Sequence, residues 1–113
     1  MVILREKGED MTPVFVTGGA GFLGSEICEK LSNERILHTI YDREYPRFKS
    51  EYTDYVQGDI RDLERLTPAL KQHQIVIHLA AEWNDVGVPD HEYNTTNIDG
   101  TKNIADAAKS NNI

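Results

Sequence analysis

The sequence of 113 residues has one cysteine, Cys28, which rules out a disulfide within the chain and a thiolate metal cage. It has no apolar run approaching the ~20 residues that a membrane-spanning helix needs. Its opening stretch, Met1 to Asp10, is too charged for a secretory leader. Basic residues are few: 12 Lys and Arg stand against 19 Asp and Glu, a net charge of −7, which argues against a nucleic-acid or anionic-membrane surface. The acidic residues are scattered and form no tail. Internal repeats, low-complexity segments and Gly/Ser/Pro-rich linkers are missing as well. The four histidines, His38, His73, His78 and His91, show no metal-ligand spacing. These absences leave one folded domain with a polar surface, in keeping with a hydrophobic fraction of 39%, and a reducing compartment, for which the cytoplasm is the expected location. Residues 1–11 read as a flexible lead-in, with Met11 an alternative start.

What is present alternates between two periodicities. Val14-Phe15-Val16 reads as a short buried strand, and Leu23, Ile27 and Leu31 then repeat every four residues as the buried stripe of a helix. Ile36 to Tyr41 and Tyr55 to Gln57 read as the second and third strands, with room for a helical turn in the 43–53 connection. Leu63, Leu66 and Leu70 share a helical spacing, but Pro68 predicts a break there, with Thr67 capping a second short piece. Ile75 to Leu79 is the fourth strand. A loop from Glu82 to about Asp90 leads to a last helix, in which Ile98, Thr101, Ile104, Ala105 and Ala108 share a face. The order β-α-β-β-α-β-α predicts an α/β fold, a doubly wound parallel sheet of the Rossmann type, ending after its fourth strand and the helix that follows.

Four glycines fall between Gly18 and Gly24, at the junction of the first strand and first helix. A helix N-terminus there aims free N–H groups and the positive end of its dipole at an incoming anion. Gly18 permits the tight turn, Gly21 leaves room for the anion, and Gly24 allows close packing of helix on strand. The spacing fits Gly19-x-Gly21-x-x-Gly24 or Gly18-x-x-Gly21-x-x-Gly24, and a bland glycine-rich turn is the rival reading. A triphosphatase-type phosphate loop fails at one residue, since Ser25 stands where lysine is required. A dinucleotide site asks for an acid at the end of the second strand, and Asp42 is there. Its carboxylate repels a 2′-phosphate and favours NAD over NADP, while Arg43 beside it softens that preference. An ordinary turn residue is the alternative for Asp42.

With these in place, "VTGGAGFLGSE" resembles the Thr-Gly-x-x-Gly-x-x-Gly signature of the extended short-chain dehydrogenase/reductases, the NAD-dependent epimerase/dehydratase enzymes acting largely on nucleotide sugars. The likeness continues through "GDIRD" (58–62), "IHLAAE" (77–82) and "NIDGTKNIADAAK" (97–109). It implies an NAD-binding half-domain over residues 12–113, with Gly18, Gly21, Phe22, Leu23 and Gly24 against the cofactor. Asp42 and Arg43 would lie at the ribose, Asp59 and Ile60 at the adenine, and Leu79, Ala80 and Ala81 at the end of strand four. Asn97 would reach toward the nicotinamide side, a capping asparagine being its bland alternative. The family's catalytic Tyr-x-x-x-Lys belongs on a helix after a fifth strand, beyond Ile113. Tyr45 and Lys49 match that pattern but follow strand two, on the adenosine side, and read as a solvated loop. Trp83-Asn84-Asp85 read as an ordinary loop, with a border on the nicotinamide ribose or the substrate as the alternative. The resemblance implies a nucleotide-sugar substrate for the parent enzyme, a homo-oligomer, and a fragment that does not itself catalyse. A stand-alone, non-catalytic dinucleotide sensor or interaction module is the alternative.

Overall fold

Val14 to Thr17 carries apolar or hydroxyl side chains on both faces, as a strand covered from two sides requires. The computed structural model describes residues 14–80, 87 and 89–113, the side chains of 93–95 excepted. In it this segment is strand β1, fully buried. Helix α1 (Phe22–Asn33), strand β2 (His38–Asp42), strand β3 (Thr53–Gln57), helix α2 (Leu63–Ala69) and strand β4 (Ile75–His78) follow. Helix α3 (Asp90–Asn94) runs through a π-helical turn (Thr95–Asp99) into helix α4 (Gly100–Ser110). The four strands are all parallel, in the order β3-β2-β1-β4. That order matches the first four strands of a doubly wound sheet, so the Rossmann-type architecture read from the sequence is the architecture found.

Alternation along the strands sorts the core into two layers. Val14, Val16 and Ile40 face α1 and pack with Cys28 and Leu31. Phe15 and Tyr41 face the other way, onto Leu66 and Leu70 of α2 and Ile104 and Ala107 of α4. Cys28 is thus a small core side chain, and burial pushes its thiol up to about 11, which leaves it inert. Among the described residues no helix is long and apolar enough to cross a membrane.

Several details differ from the sequence reading, each for a packing reason. Leu23 does not join the buried stripe: it is 59% exposed, and Gly24, Cys28 and Leu31 form the inner face instead. Gly24 sits against the Gly18 carbonyl and the Gly19 Cα, and that close approach sets the rotation of α1. Pro68 does not break α2. It lies one residue from the helix end, so only one amide bond is forfeited, and Thr67 donates its hydroxyl to the Leu63 carbonyl at 2.9 Å instead of capping a new piece. The inner face of α4 is Gly100, Ile104 and Ala107, while Ile98 is 65% exposed and Thr101 and Ala105 face outward. The π-helical turn before Gly100 breaks the 3.6-residue register on which the predicted face was drawn. Strand β3 begins at Thr53, two residues early, because it pairs with the whole of β2, from His38↔Thr53 to Asp42↔Gln57. The 43–52 connection contains bends and a turn but no helical turn.

Three histidines, two in the strands and His73 in the connection before β4, are held as neutral rings. His38 Nδ1–H donates to the Ile36 carbonyl at 2.8 Å, so Nε2 is bare and accepts from the Thr53 hydroxyl at 2.9 Å. His73 repeats the arrangement, donating from Nδ1 to the Lys71 carbonyl and accepting at Nε2 from Thr39 at 2.9 Å. His78 accepts from Thr17 at Nδ1. Burial lowers the pKa of all three below the usual 6.5.

Candidate functional site

The carboxyl ends of β1, β2, β3 and β4 open onto one cleft of about 370 Å³. Its first wall is the turn after β1. Gly18 takes φ +75°, and the Gly21 amide closes on the Gly18 carbonyl at 3.1 Å. A Cβ on Gly18 would stand 2.7 Å from the Ala80 amide nitrogen, whereas one on Gly21 would meet only the Gly18 carbonyl oxygen, at 3.3 Å. Gly21 is therefore the open side of the turn. It is also the N-cap of α1, with no side-chain cap and no acidic residue in the first turn, so the leading amides of α1 are left for an anion. Phe22, Leu23 and Gly24 complete this wall.

The second wall comes from β2. The Asp42 carboxylate accepts the Ala20 amide at 3.0 Å and the Glu44 amide at 2.9 Å, which ties the end of β2 to the glycine turn. Arg43 and Arg47 line the same wall, and the Arg47 guanidinium lies 5.9 Å from the Phe22 ring centroid, a cation–π contact across the mouth. Past β3, Asp59 and Ile60 form the third side. Burial alone would raise the Asp59 carboxyl, but the Arg61 guanidinium, bonded to both its oxygens, and Arg43 at 3.9 Å hold it below the ordinary carboxylate range. The Tyr41 hydroxyl donates to the Asp59 carbonyl at 2.9 Å and fixes this loop; burial, then the carboxylates of Asp62 and Asp59, push that phenol up to about 12. Leu79 and Ala80 close the cleft behind β1.

The fold thus brings together Gly18, Gly21, Phe22, Leu23 and Gly24 with Asp42, Arg43, Asp59, Ile60, Leu79 and Ala80. Ala81 lies outside the described residues, as do residues 1–11 and Trp83-Asn84-Asp85. Asn97 is in the π-helical turn and is not among the cleft-lining residues; its carbonyl accepts the Thr101 hydroxyl at 2.6 Å. Tyr45 packs edge-on against Tyr55, and the Lys49 ammonium stands 6.0 Å from the Tyr45 ring centroid, on the connection that follows β2. Among the described residues no group of three or more His, Cys, Asp or Glu could hold a metal ion.

Sequence reasoning missed Tyr41, Arg47 and Thr96. Thr96 is 4% exposed and lines the cleft, yet its hydroxyl has no hydrogen-bond partner among the described residues. Ser25, Thr67, Thr101 and Ser110 each satisfy a hydroxyl on the carbonyl four residues back, and Thr96 does not. An unpaired buried hydroxyl costs about 1–3 kcal/mol, so a ligand that supplies its partner recovers that cost. The only sequence signal for it was its place beside Asn97.

The profile of the 3-beta hydroxysteroid dehydrogenase/isomerase family matches residues 15–113. The chain is 39% identical over 98 residues to L-arabinose 1-dehydrogenase (NAD(P)(+)) of Haloferax volcanii, covering 87% of this chain and 36% of that one. It is 36% identical over 102 residues to UDP-N-acetyl-alpha-D-glucosaminuronate decarboxylase of Bacillus cytotoxicus, 82% of this chain and 32% of the other. The crystal structure of UDP-glucose 4-epimerase from Brucella ovis in complex with NAD superposes with a TM-score of 0.75 at 32% identity, over 89% of this chain and 33% of that one. The chain spans about a third of the length of these relatives.

Proposed function

The chain belongs to the 3-beta hydroxysteroid dehydrogenase/isomerase family, within the extended short-chain dehydrogenase/reductases of the NAD-dependent epimerase/dehydratase type, and from that premise we propose that residues 12–113 bind NAD for an oxidoreductase acting on a nucleotide sugar. One observation carries the reading: a single cleft holds uncapped helix amides on one side and the Asp42 carboxylate on the other. That donor-then-acceptor order suits a diphosphate followed by a ribose diol. The α1 amides and the open Gly21 would take the diphosphate, Asp42 the adenosine ribose hydroxyls, and Asp59 with Ile60 the adenine. The Thr96 hydroxyl supplies one more polar contact. NAD, when bound, supplies a hydride acceptor for a sugar carbon.

On this reading the 113 residues bind and orient the cofactor, and proton transfer from substrate falls to residues outside them. The buried Cys28 fits a reducing, cytoplasmic setting. Titration calorimetry of the purified chain is the test. NAD is expected to bind at least tenfold more tightly than NADP, because a 2′-phosphate would meet the Asp42 carboxylate. Asp42→Ala is expected to weaken NAD about tenfold and to erase the preference. No heat with NAD, or tighter binding of NADP, would overturn the assignment.

Self-association belongs to the same proposal. Among the described residues β4 pairs with β1 alone, and Ile75, Val76 and Ile77 stay half-buried. An apolar strand with a free edge recruits another edge. Light scattering coupled to gel filtration is expected to give a mass above that of one chain at tens of micromolar concentration. A monomer at every concentration counts against pairing.

A further inference from the structure

Three side chains, two main-chain amides and one main-chain carbonyl form one directed hydrogen-bond chain beside the cleft. Thr17 Oγ1 accepts the amides of Leu79 at 3.0 Å and Ala80 at 3.2 Å. Its lone pairs are thereby committed, so its own proton points at His78 Nδ1, 2.6 Å away. The His78 proton then sits on Nε2 and donates to Thr101 Oγ1 at 3.0 Å. Thr101 in turn donates to the Asn97 carbonyl at 2.6 Å. The Leu79 amide is shared with the Thr17 carbonyl at 3.0 Å, and the imidazole tautomer protonated on Nε2 is the one that suits the Ala80, Thr17, Thr101 and Asn97 partners together.

The far end of this chain lies inside the π-helical turn Thr95–Asp99. A widened turn releases carbonyls from the usual four-residue bonding, and a hydroxyl that reaches back four residues can satisfy one of them. Asn97, whose carbonyl is held in this way, is the immediate neighbour of Thr96, a cleft-lining residue whose buried hydroxyl has no partner among the described residues. The near end lies at Thr17, next to the Gly18 turn. His78 therefore joins the two sides of the cleft by bonds that carry a direction as well as a distance.

We propose that His78 is a positioning residue: through Thr101 it holds the π-helical turn in register with the glycine turn and so places the Thr96 hydroxyl for a bound dinucleotide. The His78 ring touches no ligand itself. The inference rests on the NAD reading above, and the Thr96 contact is the part of that reading it explains. Thr101 is the residue to change, because it lies at the exposed rim, where valine preserves the shape and removes only the hydroxyl.

The test uses the 113-residue chain and NAD. Two-bond ¹⁵N–¹H correlation spectra of the histidines are expected to show His78 protonated on Nε2. Thr101→Val is expected to weaken NAD roughly three- to tenfold, the value of one hydrogen bond, with a melting temperature close to that of the parent. Thr101→Ser, which restores the hydroxyl, is expected to recover the affinity. A proton on Nδ1 of His78 overturns the proposal whatever NAD does. If NAD binds Thr101→Val as tightly as the parent, the positioning role fails and the cofactor reading stands. If affinity falls together with thermal stability and serine does not rescue it, the chain of bonds is structural and the proposal fails. If the parent binds no NAD, the cofactor reading fails and takes the role of the relay with it.

Discussion

Gly18→Ala is expected to cost the chain about 4 kcal/mol of stability and to lower its urea midpoint sharply. Two costs add at this position. At φ +75° an L-residue is in the left-handed region, at about 1–2 kcal/mol. The new Cβ would also stand 2.7 Å from the Ala80 amide nitrogen and 2.8 Å from the Leu79 carbonyl carbon, and main chain cannot step aside as a flexible side chain can. Moving it means shifting the end of β4 away from Thr17 and losing the bonds from Leu79 and Ala80. A total loss of about 4 kcal/mol is a large part of the roughly 5–15 kcal/mol that holds a domain together. Gly21→Ala is the control that separates folding from binding. Its Cβ has one neighbour, at 3.3 Å, so urea denaturation is expected to give a midpoint near the parent's while NAD affinity drops. A Gly18→Ala chain with an unchanged midpoint would sink the account of the turn.

Acidification is expected to be the second large effect. His38, His73 and His78 are each held neutral in the fold by burial and by a threonine hydroxyl that donates to the bare ring nitrogen. Their folded pKa values lie below the ordinary 6.5, so between that value and the folded ones the unfolded chain binds more protons than the folded chain. Stability therefore rises with pH in this window: it is fully present above about 6.5 and is lost as the pH falls below. If all three rings stay neutral, the slope approaches about 4 kcal/mol per pH unit. Each protonation also forces a threonine proton to turn away from the ring. A fall in melting temperature of at least ~10 °C between pH 7 and pH 5 is expected by differential scanning calorimetry. Asp59, with its carboxyl held low, acts with the same sign in a separate window, below 3.8. A melting temperature flat from pH 7 to pH 5, or ring titrations by NMR at or above 6.5, would contradict this.

Much of the architecture was legible because its signals are local. A run such as Val14-Phe15-Val16 ahead of clustered glycines, and an acid after the next strand, are demands the backbone makes within a few residues, and Gly18, Gly24 and Asp42 stand where those demands placed them. The faces of the helices were less legible. Leu23 and Ile98 are apolar and fall on helical spacing, yet both are largely exposed. Gly24 seats α1 against the Gly18 carbonyl, and Gly100 seats α4 against the Ile60 side chain, the second contact joining segments far apart in the chain. Periodicity reports that a helix has an apolar face but not how deeply a glycine lets it roll.

The sequence by itself determined the order of strands and helices, the glycine turn at the first crossover, the acid that faces it, and the family to which those motifs belong. It could do so because glycine, proline and hydrophobic period act on neighbouring residues. Only the tertiary structure decided that Tyr41 fixes the Asp59 loop, that Arg47 reaches Phe22 across the mouth, that Thr96 is buried without a partner among the described residues, and that Thr17, His78 and Thr101 form one directed chain. Those facts depend on hydrogen-bond direction and packing between residues up to 61 positions apart, which no local pattern encodes.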